Sequence, residues 1–198
     1  MAVNDARAQA FDMVVLGAGP GGYVAAIRAA QLGMKVALVE KDRLGGLCLN
    51  RGCIPTKAMV KSADALMLAQ RAEKLGVRVG EVRLDYAGVV RRRQEVVETL
   101  VRGIEQLMRA NRVEVVTGEG RLRPDGLVEV TAAGKPVTAL RARHVILATG
   151  SQPVRLPIPG SELPGVVDSD GLLELEELPS RLVVIGGGIV GCEFASIF

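Results

Sequence analysis

Apolar and polar positions along this 198-residue chain alternate between short buried runs and longer helical stripes. Residues 11–16 form a nearly continuous apolar run, the pattern of a strand buried on both faces of a parallel sheet. A glycine-rich turn follows at 17–22. Residues 23–32 are Ala-rich and helical, closed by Gly33. Residues 35–39 predict a second buried strand, ending in Glu40. Helices are predicted over 58–75, stopped by Gly76, and over 86–109, N-capped by Asp85. The second carries Val89, Val90, Val96, Val97, Leu100, Ile104 and Leu107 at helical spacing, a stripe that faces a core. Residues 113–116, 120–123, 127–130 and 139–141 predict short strands joined by turns. Residues 144–148 predict another buried strand, running into Thr149, Gly150 and Ser151. Pro153, Pro157, Pro159 and Pro164 mark a linker. After it, an apolar strand is predicted over 182–185, leading into a second glycine-rich turn at 186–191. Strands and helices in this order predict an α/β fold, a parallel sheet with a small antiparallel β-meander.

The first turn, Gly17-Ala18-Gly19-Pro20-Gly21-Gly22, puts glycines at the first, third and sixth places between a strand and a helix. Glu40 stands eighteen residues after the last of them. In that context the glycines allow a tight turn, close approach of a pyrophosphate and helix–strand packing, and the acid bonds an adenosine ribose. The second turn, Gly186-Gly187-Gly188-Ile189-Val190-Gly191, repeats the spacing. The sequence ends at Phe198 before a following strand or acid, so this second dinucleotide pattern is partial and does not separate NAD from NADP.

Composition narrows the classes. Hydrophobic residues make up 48% of the chain, enough for a large core, while aromatics are 3% with no Trp, too few for base-stacking platforms. A net charge of +3 is too mild to imply nucleic acid. The run Arg91-Arg92-Arg93 lies in a helical pattern and reads as a solvated face. Residues 1–10 are polar and mixed, unlike a signal peptide, and no apolar run reaches membrane-spanning length. The expected compartment is the cytoplasm.

Cys48 and Cys53 flank Leu49-Asn50-Arg51-Gly52, just downstream of the first glycine pattern. In a regular helix two Cα atoms five positions apart are about 8.6 Å from each other, and a disulfide needs less than roughly 7 Å. If the pair closes, the helix is broken there. Gly52 relaxes the backbone, and Pro55 cannot bond the carbonyl of Arg51. Helix N–H dipoles at such a break lower a thiol's pKa. Half a zinc site is the first alternative, but only Cys192 and His144 remain as further soft ligands, neither at ligand spacing, and no metal is expected. Two inert core cysteines are the second, and they leave the Gly, Asn and Pro unexplained. In a reducing compartment such a pair reads as catalytic. A closed disulfide is expected in the resting protein.

Two nucleotide fingerprints with a Cys-x4-Cys pair between them resemble the flavoprotein disulfide oxidoreductases, and among them the dihydrolipoamide dehydrogenase family. The residues that carry this are 48–57, the helix 23–33, Ala148-Thr149-Gly150-Ser151 and Ser169-Asp170-Gly171. Glutathione and mercuric reductases share the layout but usually have Val in the places of Leu49 and Ile54. The resemblance implies a Rossmann-like FAD-binding domain over 1–152, then a linker and the start of a Rossmann-like NAD-binding domain over 153–198. It implies that Gly17, Gly19, Gly22 and Glu40 hold the FAD adenosine half, and that Gly46, Gly120, Thr149, Gly150 and Ser151 line the rest. Cys53 is then the thiolate at the flavin, Cys48 exchanges with dihydrolipoamide, and Lys57 sits by the flavin edge. Lys57 is expected to form an ion pair with Glu193. Gly186, Gly188 and Gly191 bind NAD. Electrons run from dithiol to disulfide to FAD to NAD.

The implied partners are dihydrolipoamide on an acyl-carrier subunit of a 2-oxo acid dehydrogenase complex, and a second copy in a homodimer, with no nucleic acid or membrane. Leu47 stands where the family commonly has Thr, and Arg51 where it has an apolar residue. The family's catalytic His–Glu pair lies in a C-terminal domain beyond residue 198, and His144 is not its substitute. These 198 residues alone are therefore expected to be inactive. The competing readings are a flavin-binding fragment without catalysis and a redox switch that does not use NAD.

Overall fold

The computed structural model describes residues 8–154 and 157–198. Most of the polar start (1–7) and two linker residues (155–156) lie outside the described residues. The chain packs as two compact units: Met1–Asn50 with Thr99–Ser151, and Arg51–Glu98 with Gln152–Phe198. Each is discontinuous in sequence.

The first unit is built on a six-stranded sheet in the order β3-β2-β1-β6-β5-β4. Here β1 is Gln9–Leu16, β2 Val36–Glu40, β3 Glu114–Thr117, β4 Glu119–Leu122, β5 Leu127–Ala132 and β6 Lys135–Leu147. β1, β2, β3 and β6 run parallel, while β4 and β5 pair antiparallel and extend the sheet through β6. Successive side chains of a strand face opposite ways, and both faces of β1 and β2 are covered. On one face Val14, Leu16, Ala37 and Val39 pack with Val128, Val130 and Leu140. On the other, Val15, Val36 and Leu38 pack with Ala26, Ala29 and Met108. Ala26 and Ala29 belong to α1 (Pro20–Gln31), whose small residues let it lie close to the sheet.

The structure corrects one sequence reading here. The strands expected at 139–141 and 144–148 are a single strand, β6. No Gly or Pro interrupts 139–147, and the ladder keeps one register from Gln9↔Leu140 to Leu16↔Leu147, passing over Asp12. The antiparallel meander is therefore not a separate small sheet. It shares β6 with the parallel one.

The second unit is helical. α2 (Gly46–Arg51) leads into it, and α3 (Cys53–Arg71) follows and starts five residues earlier than the expected 58. A 3-10 turn, Ala72–Leu75, extends it to Gly76, which stops the helix in the left-handed conformation at φ 78°. α4 (Tyr86–Ala110) begins in this unit and ends in the first. Its cap is as expected: Gly88 N–H donates to Asp85 Oδ1 at 2.9 Å. Two short helices complete the unit, α5 (Ser169–Leu173), which has no counterpart in the sequence reading, and α6 (Ile189–Ile197). Met59, Leu172, Leu173 and Phe194 are its buried core.

The strand expected at 182–185 is not formed. Val183 and Ile185 are each 78% exposed. An apolar run becomes a strand only when neighbouring strands take its backbone hydrogen bonds, and among the described residues none pairs with this segment.

Candidate functional site

The four parallel strands of the first unit end on the same side, and the sheet order reverses beside β1. β2 follows β1 in the chain and lies on one flank, while β6 lies on the other. Ligands of open α/β sheets bind at the carboxyl ends of strands at such a switch point. The glycine turn 17–22, Glu40 and residues 148–151 are all at these ends.

The turn is too crowded for side chains. Gly17 has φ +97°, and a Cβ there would lie 2.2 Å from Ala148 O. A Cβ on Gly22 would lie 1.8 Å from Gly17 O. Gly19 is the N-cap of α1, has no side-chain cap, and precedes Pro20 at the first helical position. The first-turn N–H groups of α1 thus lack a side-chain acceptor, which suits a phosphate. Gly17 N–H donates to Val39 O at 2.8 Å, and Ala148 N–H to Leu16 O at 2.8 Å. These bonds tie the turn to both flanking strands.

Glu40 closes this arrangement. Its Oε2 accepts from Ala18 N–H at 2.8 Å and its Oε1 from Asp42 N–H at 2.9 Å. A carboxylate accepts about four hydrogen bonds, so both oxygens retain capacity for a ligand hydroxyl. A cavity of about 470 Å³ opens beside it, lined by Glu40, Asp42, Arg43, Leu44, Met108 and Thr117 among others. Gly120 is different. A Cβ there would meet Leu16 Cδ2 at 2.7 Å and Val39 Cγ1 at 3.0 Å, so its requirement is core packing. Thr149, Gly150 and Ser151 are exposed just past β6.

The cysteine segment starts on this turn. Gly45 N–H donates to Ala18 O at 2.8 Å. Gly46 has φ +59°, and a Cβ there would lie 2.6 Å from Gly19 Cα. The backbone at the start of α2 therefore touches the glycine turn directly, two residues before Cys48. Asn50 holds this start in place, with its Nδ2 donating to Leu44 O at 3.0 Å and Gly46 O at 2.9 Å, while its Oδ1 is buried without a partner. The sequence marked Asn50 as needing an explanation but gave it no role. Its spacing of four residues from Gly46 in a helix was the available signal.

The helix break falls at Gly52, as expected from sequence, with φ −137° and ψ −106°. α3 begins at Cys53, where Pro55 loses nothing because first-turn N–H groups have no helical partner. Thr56 Oγ1 donates to Gly52 O at 2.6 Å and Thr56 N–H to the same oxygen at 3.1 Å. Both Cys48 and Cys53 are thiols in this structure, and Cys53 is exposed. The expected disulfide is therefore not the state present here.

The expected ion pair between Lys57 and Glu193 is also absent. The ion pairs of the second unit include Arg51–Asp170 at 3.8 Å but none between these two. Lys57 is exposed, so burial does not demand a partner. The buried cation of this unit is instead Arg93, 8% exposed, with Nη1 lacking an acceptor. Burial pulls its pKa down, and Tyr86 and Glu174 pull it back up. Tyr86, whose hydroxyl donates to Leu175 O at 3.4 Å, is pushed above 10.0 by burial, with Arg93 opposing.

The second glycine turn has the backbone of the first. Gly186 has φ +111°, a Cβ on Gly191 would lie 2.3 Å from Gly186 O, and Gly188 is the N-cap of α6 with no side-chain cap.

The sequence pattern of the pyridine nucleotide-disulphide oxidoreductase family matches residues 11–198, and the chain belongs to that family. It is 47% identical over 191 residues to a dihydrolipoyl dehydrogenase of Chlamydia pneumoniae, covering 96% of this chain and 41% of that protein. It is 45% identical over 197 residues to the dihydrolipoyl dehydrogenase of Bacillus subtilis, covering 94% and 41%. Among solved structures it is similar to a Cu(II) complex of the HOCl-induced flavoprotein disulfide reductase RclA from Escherichia coli. That likeness has a TM-score of 0.82 and 32% identity, over 96% of this chain and 40% of that one. The chain spans about two fifths of the length of the curated relatives it matches.

Proposed function

We propose that the chain is the N-terminal part of an FAD-dependent dithiol/disulfide oxidoreductase, one that oxidises dihydrolipoamide to lipoamide and reduces NAD in its full-length form. The observation that carries this reading is the contact of Gly45 and Gly46 with Ala18 and Gly19. It joins the start of the cysteine helix to a turn shaped for a dinucleotide pyrophosphate. The cradle fits the group: four glycines line it, an uncapped helix N-terminus faces it and Glu40 closes it.

In this reading residues 1–152 are the FAD domain, and 153–198 are the linker and the start of the NAD domain. Gly17, Gly19, Gly22 and Gly46 let the pyrophosphate approach, Glu40 accepts from the adenosine ribose, and Thr149, Gly150 and Ser151 lie along the remaining site. Bound FAD would supply a two-electron acceptor. Cys48 exchanges with the dithiol of the substrate, and Cys53 is the thiolate on the flavin side. Lys57 and Glu193 serve the same electron transfer without forming an ion pair with each other, and Gly186, Gly188 and Gly191 take NAD. The dithiol belongs to an acyl-carrier subunit of a 2-oxo acid dehydrogenase complex, and the full-length protein is a cytoplasmic homodimer. No helix among the described residues is long and apolar enough to cross a membrane.

The test is reconstitution of the full-length protein with FAD, followed by anaerobic addition of dihydrolipoamide. The flavin absorbance should bleach with the wild type, and Cys48→Ser and Cys53→Ser should each retain FAD but lose at least 10³-fold in the rate of bleaching. A Cys48→Ser protein reduced at the wild-type rate would overturn the reading.

A further inference from the structure

Arg51 is the last residue of α2 and stands two residues before Cys53 and three after Cys48. Two residues of chain span at most about 7 Å. Even extended backbone keeps the Cα atoms of Arg51 and Cys53 inside the Debye length, roughly 10 Å at 0.1 M salt. A positive charge is therefore built into the cysteine segment.

Its partner carboxylate is delivered by another element of the same unit. Arg51 Nε lies 3.8 Å from Asp170 Oδ2, with the two side chains 50% and 23% exposed. Most surface ion pairs are weak because two long side chains must both be immobilised. The backbone that carries Asp170 is already held. Asp168 caps α5, with its Oδ1 accepting from Asp170 N–H at 3.1 Å and Gly171 N–H at 3.0 Å. Ser169 Oγ donates to Asp170 Oδ1 at 3.5 Å. Leu172 and Leu173 fix the same helix in the core against Met59 and Phe194.

We propose that Arg51 and Asp170 form a charge pair that sets the dithiol–disulfide equilibrium of Cys48 and Cys53. Arg51 favours the reduced, thiolate-bearing form, because a cation stabilises a thiolate and has no comparable hold on a neutral disulfide. Asp170 offsets part of that charge and keeps the couple more reducing. Both are positioning residues. The inference rests on the reading of Cys48 and Cys53 as a redox pair.

The equilibrium is read against glutathione. The protein disulfide bond breaks, two glutathione thiols are oxidised to one glutathione disulfide, two electrons pass to Cys48 and Cys53, and of the two thiol protons one is taken up by a cysteine and the other is released to the buffer as the second stays a thiolate. The full-length protein is equilibrated in glutathione buffers of graded ratio, quenched with acid, and its thiols are counted by mass-tagging. Asp170→Asn should favour the dithiol three- to tenfold, a rise of about 14 to 30 mV for a two-electron couple. Arg51→Leu should shift it the other way, Arg51→Lys should restore most of the wild-type value, and Asp170→Asn added to Arg51→Leu should have no further effect. A wild type with a clean two-electron transition and an Asp170→Asn variant within twofold of it would overturn this inference and leave the redox reading standing. The same shift from Asp170→Asn whether or not Arg51 is present would also overturn it. Two thiols that never form an intramolecular disulfide would overturn both.

Discussion

The two glycine turns have nearly the same backbone in different surroundings. Gly17 and Gly186 both have positive φ, Gly19 and Gly188 both cap a helix in extended conformation, and Gly22 and Gly191 both sit where a Cβ would strike a carbonyl. The run before the first turn is β1, hydrogen-bonded on both flanks and buried. The run before the second is apolar too, yet it is exposed and not a strand. The turn and the helix start are thus local products of glycine spacing, which needs only the steric freedom of the chain. A strand is not local, because its hydrogen bonds belong to its neighbours.

Hydrogen exchange of the 198-residue chain should show this contrast most strongly. The amides of Val14, Val15 and Leu16 should exchange roughly 10³-fold or more slowly than those of Val183, Val184 and Ile185, since core strands open only by near-global unfolding. Similar protection in the two runs would mean that 182–185 is paired in solution and would break the comparison.

The next largest effect should come from filling the two turns. Gly22→Ala forces a Cβ into Gly17 O where α1 meets a fully packed sheet, at a cost of about 3 kcal/mol, the upper end for overpacking. The first unit should melt roughly 10 °C or more lower. Gly191→Ala makes a comparable clash beside backbone that is not held in a sheet, so the cost should stay within about 0.5 kcal/mol. Calorimetry of the two variants checks this, and equal losses would show that the second turn is held as firmly as the first.

The smallest effect concerns the unit that carries the second turn. Burial raises the pKa of Tyr86, so the folded chain holds that proton more tightly than the unfolded chain. The resulting stability is fully present below pH 10 and is lost as pH rises past the folded value. Melting curves at pH 9, 10 and 11 should fall more steeply for the wild type than for Tyr86→Phe. Parallel slopes would show that the phenol is not the sensing group.

The elements legible from sequence were those whose signals are local. The first βαβ unit, the Asp85 cap, the Gly76 stop and the break at Gly52 all appeared where residue chemistry put them. The single strand β6 did not, because two apolar stretches separated by Ala142 and Arg143 look like two strands until β1 is seen pairing along both. α5 was also missed, since five residues give no periodicity, and its place is fixed by Leu172 and Leu173 in a core made from distant chain. The expected Lys57–Glu193 pair is not formed, and Lys57 is exposed, so burial does not require a partner for it.

By itself, the sequence determined the two glycine turns, the acid after the first, the cysteine spacing and the helix break between them, because each depends on backbone sterics within a few residues. The tertiary structure alone decided that Glu40 bonds Ala18 across twenty-two positions, that Gly46 rests on Gly19, and that Asp170 answers Arg51. Those pairings join residues far apart in the chain. Loop closure and core packing select them, and neither leaves a mark in the local pattern.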